Sequence, residues 1–461
     1  MILMRITLNR RDWLRLGLAG IPWLSSPLGA KTPVLAGKAK SVLLVYTSGG
    51  MSQFESWDPK PNAPAEVRGA FGSIATSVPG IRFGELMPRV ASLANRMTVI
   101  RSMSHDDLDH GSAAYLTLTG QPHARKSSNP LPTPNDFPTQ SAILRRLRPA
   151  KNLPYTAVHL NGPLLAPQLP SVGQNAGFLG RACEPLILGD VTDELPMLQG
   201  LEPRAELPKL RLDSRRSLLN QLQGATALLS NLPATVERDP LNRQAYELLS
   251  TPSATRAFDL EDEPERVRDR YGRNRAGQAC LLARRLVERG VPWVTVFFNH
   301  GIRGQDKSPN DTDEYGWDTH NDIFQSMRDH LMPRFDLGFS ALLEDMEQRG
   351  LLETTLVVCL GEFGRAPRVA LEPRFDGATP GRKHWGMCYS IAMAGAGVTR
   401  GATYGSSDKI GAYPSLNPVT PPDVMATLFH ALGIDPAGHF QDLANRPVPI
   451  TSGKPLLGLF A

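Results

Sequence analysis

Four short stretches of this chain hold residues that could do acid–base or metal chemistry together. Ser102–His110 puts two imidazoles and three carboxylates into the six residues His105–His110, among them Asp106. Trp317-Asp318-Thr319-His320-Asn321-Asp322 is a second acid/imidazole cluster. Gly361-Glu362-Phe363-Gly364-Arg365 sets a carboxylate between two glycines, and Gly381-Arg382-Lys383-His384-Trp385 follows it. Oxygen and imidazole donors in this mixture suit zinc, manganese or a similar divalent ion. Such an ion lowers the pKa of a water or binds a phosphoryl or sulfuryl oxygen. Without an ion, the same groups can act as general acid and base. A purely structural reading stands beside both. In it Glu362 pairs with Arg365 to pin the turn, His384 bonds to backbone, and Ser102–Asp109 is a capped helix start. His123, His159, His300, His330, His430 and His439 stand alone and read as structural or exposed.

The elements that must position these residues are legible from pattern. Leu356–Leu360 is apolar, rich in β-branched residues and too short for a typical helix, which predicts a buried parallel strand. Glu362 lies just past it, and in open α/β sheets the chemistry sits beyond the carboxyl ends of the strands. Further strands are expected at Ser41–Tyr46, Met97–Ile100, Ala157–Leu160, Trp293–Phe298 and Tyr389–Ala394. The first of these ends in Ser48-Gly49-Gly50, where glycines permit close backbone approach or positive φ. Residues 51–61 are too rich in proline and polar groups for a regular element, and read as an ordered loop over the sheet top. Helical spacing marks Leu86–Asn95, a segment from near His110 to Thr119, Gln140–Leu147, Ala276–Arg289 and Arg334–Arg349. A last helix should start at Thr420, with Pro421 at its first position and Asp423 at its third. Strands alternating with helices predict an α/β fold, its mostly parallel sheet flanked by helices on both faces. A charged, proline-interrupted stretch over about 205–275 reads as a helical insertion.

The ends and composition bound the rest. Asn9-Arg10-Arg11-Asp12-Trp13, the apolar run Leu16–Leu28 and Gly29-Ala30 make residues 1–30 a twin-arginine-type signal peptide. The expectation is export to the periplasm or beyond by the twin-arginine machinery, leaving 31–461 as one α/β domain. Pro22 and Pro27 break the apolar run, which is too short to span a bilayer, and no other stretch promises a membrane span. The net charge of +5 owes much to four arginines in residues 1–30, and no dense Lys/Arg tract with interleaved aromatics follows. Nucleic acid is therefore not an expected partner. Cys183, Cys280, Cys359 and Cys388 are scattered; Cys280 and Cys359 fall in apolar patterns and read as small buried hydrophobes.

Ser52-Gln53, Asp58-Pro59-Lys60-Pro61, Arg101-Ser102-Met103-Ser104-His105, His110-Gly111-Ser112-Ala113, Thr119-Gly120, Trp317-Asp318-Thr319-His320, Gly361–Arg365 and Arg382–Trp385 stand in this order. Together they resemble the bacterial domain-of-unknown-function 1501 family, within the alkaline phosphatase/sulfatase superfamily. The resemblance implies an alkaline-phosphatase-like fold and an exported, sulfatase-like hydrolase acting on a phosphate or sulfate ester. It implies a divalent ion (zinc, manganese or calcium) held by Asp318, His320, Glu362, His384 and Asp106. His110 or Ser112 would take the nucleophile position with His105 nearby, and Lys383 and Arg365 would neutralise the anion. The chain departs from the superfamily in three places. Its first strand ends in Ser48-Gly49-Gly50 instead of a metal-binding Asp, Phe363 follows Glu362 where His is expected, and no formylglycine-type cysteine precedes Thr119. The missing first-strand Asp and the absent cysteine favour the alternative: a non-catalytic surface or scaffold protein, holding no ion and binding a partner or polysaccharide on a degenerate fold.

Overall fold

The structure is a computed structural model that describes residues 37–127, 129–151, 153–166, 169–192, 256–299, 301 and 316–460. The expected signal peptide and residues 205–255 of the expected insertion lie outside the described residues.

Eight strands form the central sheet: β1 Ser41–Tyr46, β2 Met97–Met103, β3 Ala157–Leu160, β4 Leu186–Ile187, β5 Trp293–Phe297, β6 Thr355–Leu360, β7 Tyr389–Ala394 and β8 Ala402–Tyr404. Their order across the sheet is β8-β2-β7-β6-β1-β5-β3-β4. Every neighbouring pair is parallel except the two made by β7, which runs against both β2 and β6. This is the mostly parallel sheet the alternation predicts. β1, β5 and β6 end level, Tyr46 being paired with both Phe297 and Leu360, so the loops after them leave one edge together.

Side chains alternate across each strand, and both faces are buried. Leu43 and Val45 of β1 join Val357 and Cys359 of β6 in one core. There they meet α3 (Arg275–Glu288), through Ala279 and Leu282, and α4 (Met332–Gln348), through Phe335, Phe339 and Leu342. Val42, Leu44 and Tyr46 join Leu356, Val358 and Leu360 in the other core. That face carries α1 (His110–Thr119), α2 (Gln140–Leu147) and α5 (Pro421–Ala431). The Thr420/Asp423 capping box forms as the sequence predicts. Cys280 and Cys359 are buried and unpaired, as their settings suggest.

Two elements differ from expectation. The helical spacing over 86–95 yields only a short helix, Pro88–Ser92, and a separate 3-10 turn at Ala94–Arg96. The strand expected at Met97–Ile100 continues to Met103, since Met103 still pairs with Tyr389 of β7. The loop at 51–61 is ordered, with Trp57 buried edge-on against Phe83 and Phe335. The described end of the expected insertion includes a helix, Glu265–Tyr271, whose Tyr271 is buried in the first core.

Candidate metal centre

The reversal of β7 explains how His384 reaches the carboxyl edge of the sheet. The chain leaves β6 at that edge, forms Glu362 and a two-residue antiparallel ribbon (Gly364–Arg365 with His384–Trp385), and only then runs back down β7. α1 begins there with His110, and the loop before α4 brings Asp318 and His320. Gly50 has a φ of +77°, and a Cβ on it would stand 2.7 Å from the Phe363 ring. A bare backbone therefore lets the turn after β1 close on Glu362. The Gly49 N–H completes this closure, donating to Glu362 Oε1 at 2.8 Å.

Three imidazoles converge on one carboxylate oxygen. Asp318 Oδ1 lies 3.3 Å from His110 Nε2, 3.1 Å from His320 Nε2 and 3.2 Å from His384 Nε2. The Nε2 atoms of His320 and His384 are 2.9 Å apart. Each ring has an acceptor at its other nitrogen. His110 Nδ1 meets Glu362 Oε1 at 2.6 Å, His320 Nδ1 meets Glu372 Oε2 at 3.1 Å, and His384 Nδ1 meets the Leu108 carbonyl at 2.6 Å. In a neutral ring, an acceptor there puts the N–H on Nδ1 and leaves the Nε2 lone pair aimed at Asp318. Lone pairs aimed at a carboxylate oxygen repel it unless a cation or proton lies among them. These four spacings approach the edge of about 3.3 Å expected for a tetrahedral ion with bonds of about 2.0–2.1 Å, and donor atoms of His110, Asp318 and His384 all lie within 4.8 Å of one another. Imidazoles whose far nitrogen is held by a carboxylate or carbonyl are the usual arrangement around a bound ion. The residues present therefore fit a divalent ion, and His110 Nε2 is buried without a hydrogen-bond partner.

Electrostatics agree with this donor set. Burial works against a charged His110, but Asp318 and Glu362 outweigh it and raise its pKa to about 9. Without an ion this ring holds a proton, which a metal would displace. Burial and then the neighbouring charge of His110 push His384 down to about 3, so its lone pair stays available. Burial alone would raise the pKa of Asp318, but His110 and Arg365 hold it well below the usual carboxylate range.

The family described as "Protein of unknown function (DUF1501)" matches residues 39–460. The chain belongs to the DUF1501 family. No curated protein matches the sequence. Among solved structures, the DUF1501 chain is similar to a protein in the alkaline phosphatase superfamily from Vibrio parahaemolyticus. The identity is 11%, with 87% of this chain and 68% of that one covered and a TM-score of 0.42. It is similar to Ps i-CgsB, solved in complex with k-i-k-neocarrahexaose, at 12% identity, 86% and 72% coverage and a TM-score of 0.41. It is also similar to the phosphonate monoester hydrolase SpPMH from Silicibacter pomeroyi, at 12% identity, 90% and 75% coverage and a TM-score of 0.39. Overlaps this loose carry no argument about chemistry, which has to come from the DUF1501 site itself.

In that site the sequence-predicted residues divide. His110, Asp318, His320, Glu362 and His384 are brought together, with Glu362 reaching the centre through His110. The expected Glu362–Arg365 pair does not form, because Glu362 Oε1 takes Gly49 and His110. Arg365 is fully buried. It donates to the carbonyls of Gly49, Gly50 and Arg382 and to Asp318 Oδ1 at 2.7 Å, so it balances Asp318. His105 Nε2 bonds the Glu362 carbonyl at 2.7 Å, supporting the turn from outside the cluster. Ser112 does not join: its hydroxyl donates to Asp107 Oδ1 at 2.9 Å and accepts from Ser127 N. Asp106 is exposed and pairs with Lys126 at 2.9 Å. The Lys383 side chain is 60% exposed, 3.7 Å from Glu372. Glu372 is the residue that sequence reasoning missed. It stands alone in Ala370-Leu371-Glu372-Pro373-Arg374, and no local signal marks it.

Proposed function

We propose that this DUF1501 chain is an exported, metal-dependent hydrolase of phosphate or sulfate esters on an alkaline-phosphatase-like fold. The observation that carries the reading is the set of three imidazole nitrogens aimed at Asp318 Oδ1, each ring's other nitrogen having its own acceptor. Asp318, His320, His384 and His110 would hold the ion. So nitrogen-rich a donor set favours zinc over manganese and calcium, which prefer oxygen ligands. When bound, the ion would polarise an ester oxygen or lower the pKa of a water. Glu362, Glu372 and the Leu108 carbonyl fix the ring tautomers, and Arg365 tempers the charge of Asp318. With the Ser112 hydroxyl held by Asp107, the attacking group in this reading is water. Lys383, exposed beside His384, meets the anionic substrate. Export rests on the twin-arginine pattern at Asn9–Trp13; among the described residues no helix is long and apolar enough to cross a membrane.

A binding role without turnover is the second reading, favoured by Ser48-Gly49-Gly50 standing where an acid would supply another ligand. One experiment separates the two. Elemental analysis of the purified chain, native and after chelation and reconstitution, is paired with assays on p-nitrophenyl phosphate and p-nitrophenyl sulfate. The hydrolase reading expects a stoichiometric divalent ion, lost in His384→Ala, with hydrolysis that follows it. An ion without hydrolysis of either ester supports the binding role, and a chain that takes up no ion after reconstitution sinks the metal reading.

A further inference from the structure

The loop Pro367–Pro380 grips three consecutive residues of the centre, His320, Asn321 and Asp322. Its neck is closed by paired bonds between Ala370 and Gly381, N to O in both directions at 3.0 and 3.1 Å. Asn321 Nδ2 donates to the carbonyls of Glu372, Phe375 and Asp376, and Asn321 Oδ1 accepts from Glu372 N at 2.8 Å. Asp322 Oδ1 accepts from Thr379 N at 2.7 Å and from its hydroxyl at 2.6 Å. The loop also holds the ring of His320 on two sides. Phe375 stacks on it with centroids 3.8 Å apart and planes 11° from parallel, and Glu372 takes its Nδ1–H. Glu372 is itself buried, whereas the side chain of Arg374, two residues on, is 79% exposed.

We infer that Glu372 is a positioning residue for the metal centre and that an ion bound through His320 locks this loop closed. The inference rests on the metal reading above. The physical link is the imidazole: an ion drawing on Nε2 makes the Nδ1–H a stronger donor, and a carboxylate on Nδ1 makes Nε2 a better ligand. Coupling of this kind is reciprocal, so the factor by which a closed loop tightens ion binding equals the factor by which the ion favours closure.

Zinc alone is titrated into the full chain, and trypsin cleavage at the Arg374–Phe375 bond is followed by mass spectrometry with and without zinc. Wild type should bind zinc and be protected at that bond by it. Glu372→Ala should bind about 10–100-fold more weakly, the usual loss for such a partner, and lose the protection. Glu372→Gln keeps the shape and an acceptor oxygen without the charge, so its affinity should fall between the two. A purely structural Glu372 would change melting temperature without changing zinc affinity. If wild type binds zinc and a folded Glu372→Ala or Glu372→Gln matches it, this inference fails and the metal reading stands. Wild-type cleavage indifferent to bound zinc also overturns the lock. A wild type that takes up no zinc overturns both readings.

Discussion

Among the buried charged clusters of the described residues, two are built on opposite plans. In the helical layer, Arg284 pairs with Glu263 at 2.7 Å, Glu288 at 2.8 Å and Asp345 at 2.8 Å. Arg285 takes the other oxygen of Glu263, Arg349 the other oxygen of Asp345, and Tyr271 also donates to Asp345. Cations alternate with carboxylates there, and apart from Arg284 Nε the donors named meet acceptors. At the carboxyl edge of the sheet, by contrast, three imidazole Nε2 atoms face one carboxylate oxygen, and the guanidinium of Arg365 also touches it. The first cluster balances its charges from within, although Arg284 Nε has no hydrogen-bond partner; the second, on the proposed reading, would be completed by a cation. Burial and charge alone do not distinguish a site from a clamp. The balance of donors against acceptors does.

The largest effect that would test this contrast is at the clamp. Arg284→Met leaves Glu263 and Asp345 buried without their central cation, and urea unfolding should show a loss of about 3–5 kcal/mol. Zinc bound per folded molecule should not change. A near-neutral Arg284→Met would mean that the clamp is not the closed network its geometry describes.

Next comes the ion itself. Zinc at a free concentration one hundred times its dissociation constant should stabilise wild type by about 2.7 kcal/mol, seen as a rise in melting temperature. His384→Ala should show no such rise. Equal shifts in both proteins would place the ion elsewhere.

A buried imidazole outside both clusters sharpens the comparison. His159 bonds Ser141 Oγ at 3.0 Å, and burial pushes its pKa down from 6.5 to about 3. The unfolded chain therefore takes up this proton below pH 6.5 while the folded chain does not. Its neutral ring favours folding fully above pH 6.5, and that contribution declines as the pH falls toward about 3. The stability gap between wild type and His159→Gln should narrow by up to about 1.4 kcal/mol per pH unit below 6.5. A gap that stays constant would mean that this ring accepts a proton in the fold.

The smallest effect is expected at Asp106. Its pairing with Lys126 is exposed, so Asp106→Ala should alter stability by no more than about 0.5 kcal/mol and leave zinc affinity unchanged. A tenfold loss of zinc would bring Asp106 into the centre and redraw its boundary.

Much of this architecture is local in origin. The short apolar runs in Ser41–Tyr46 and Leu356–Leu360, the Thr420 capping box and the glycines at 49 and 50 are short-range signals, and the structure follows them. The motifs around His110, Asp318, Glu362 and His384 likewise name residues that do meet. The Leu86–Asn95 spacing failed because periodicity cannot tell a continuous helix from two short turns that bury the same apolar residues.

What the sequence determined by itself was which donor types lie near strand ends, since residue type and strand pattern are properties of a few neighbouring positions. Only the tertiary structure decided their roles. The reversal of β7 carries His384 to the carboxyl edge. Arg365 turns to Asp318 and frees Glu362 for His110, and Glu372 folds in beneath His320 from a loop with no motif. The physical reason is range. A lone pair's partner is fixed by contacts dozens to hundreds of residues apart in the chain, such as Glu362 with His110 or Glu372 with His320, and no local period encodes them.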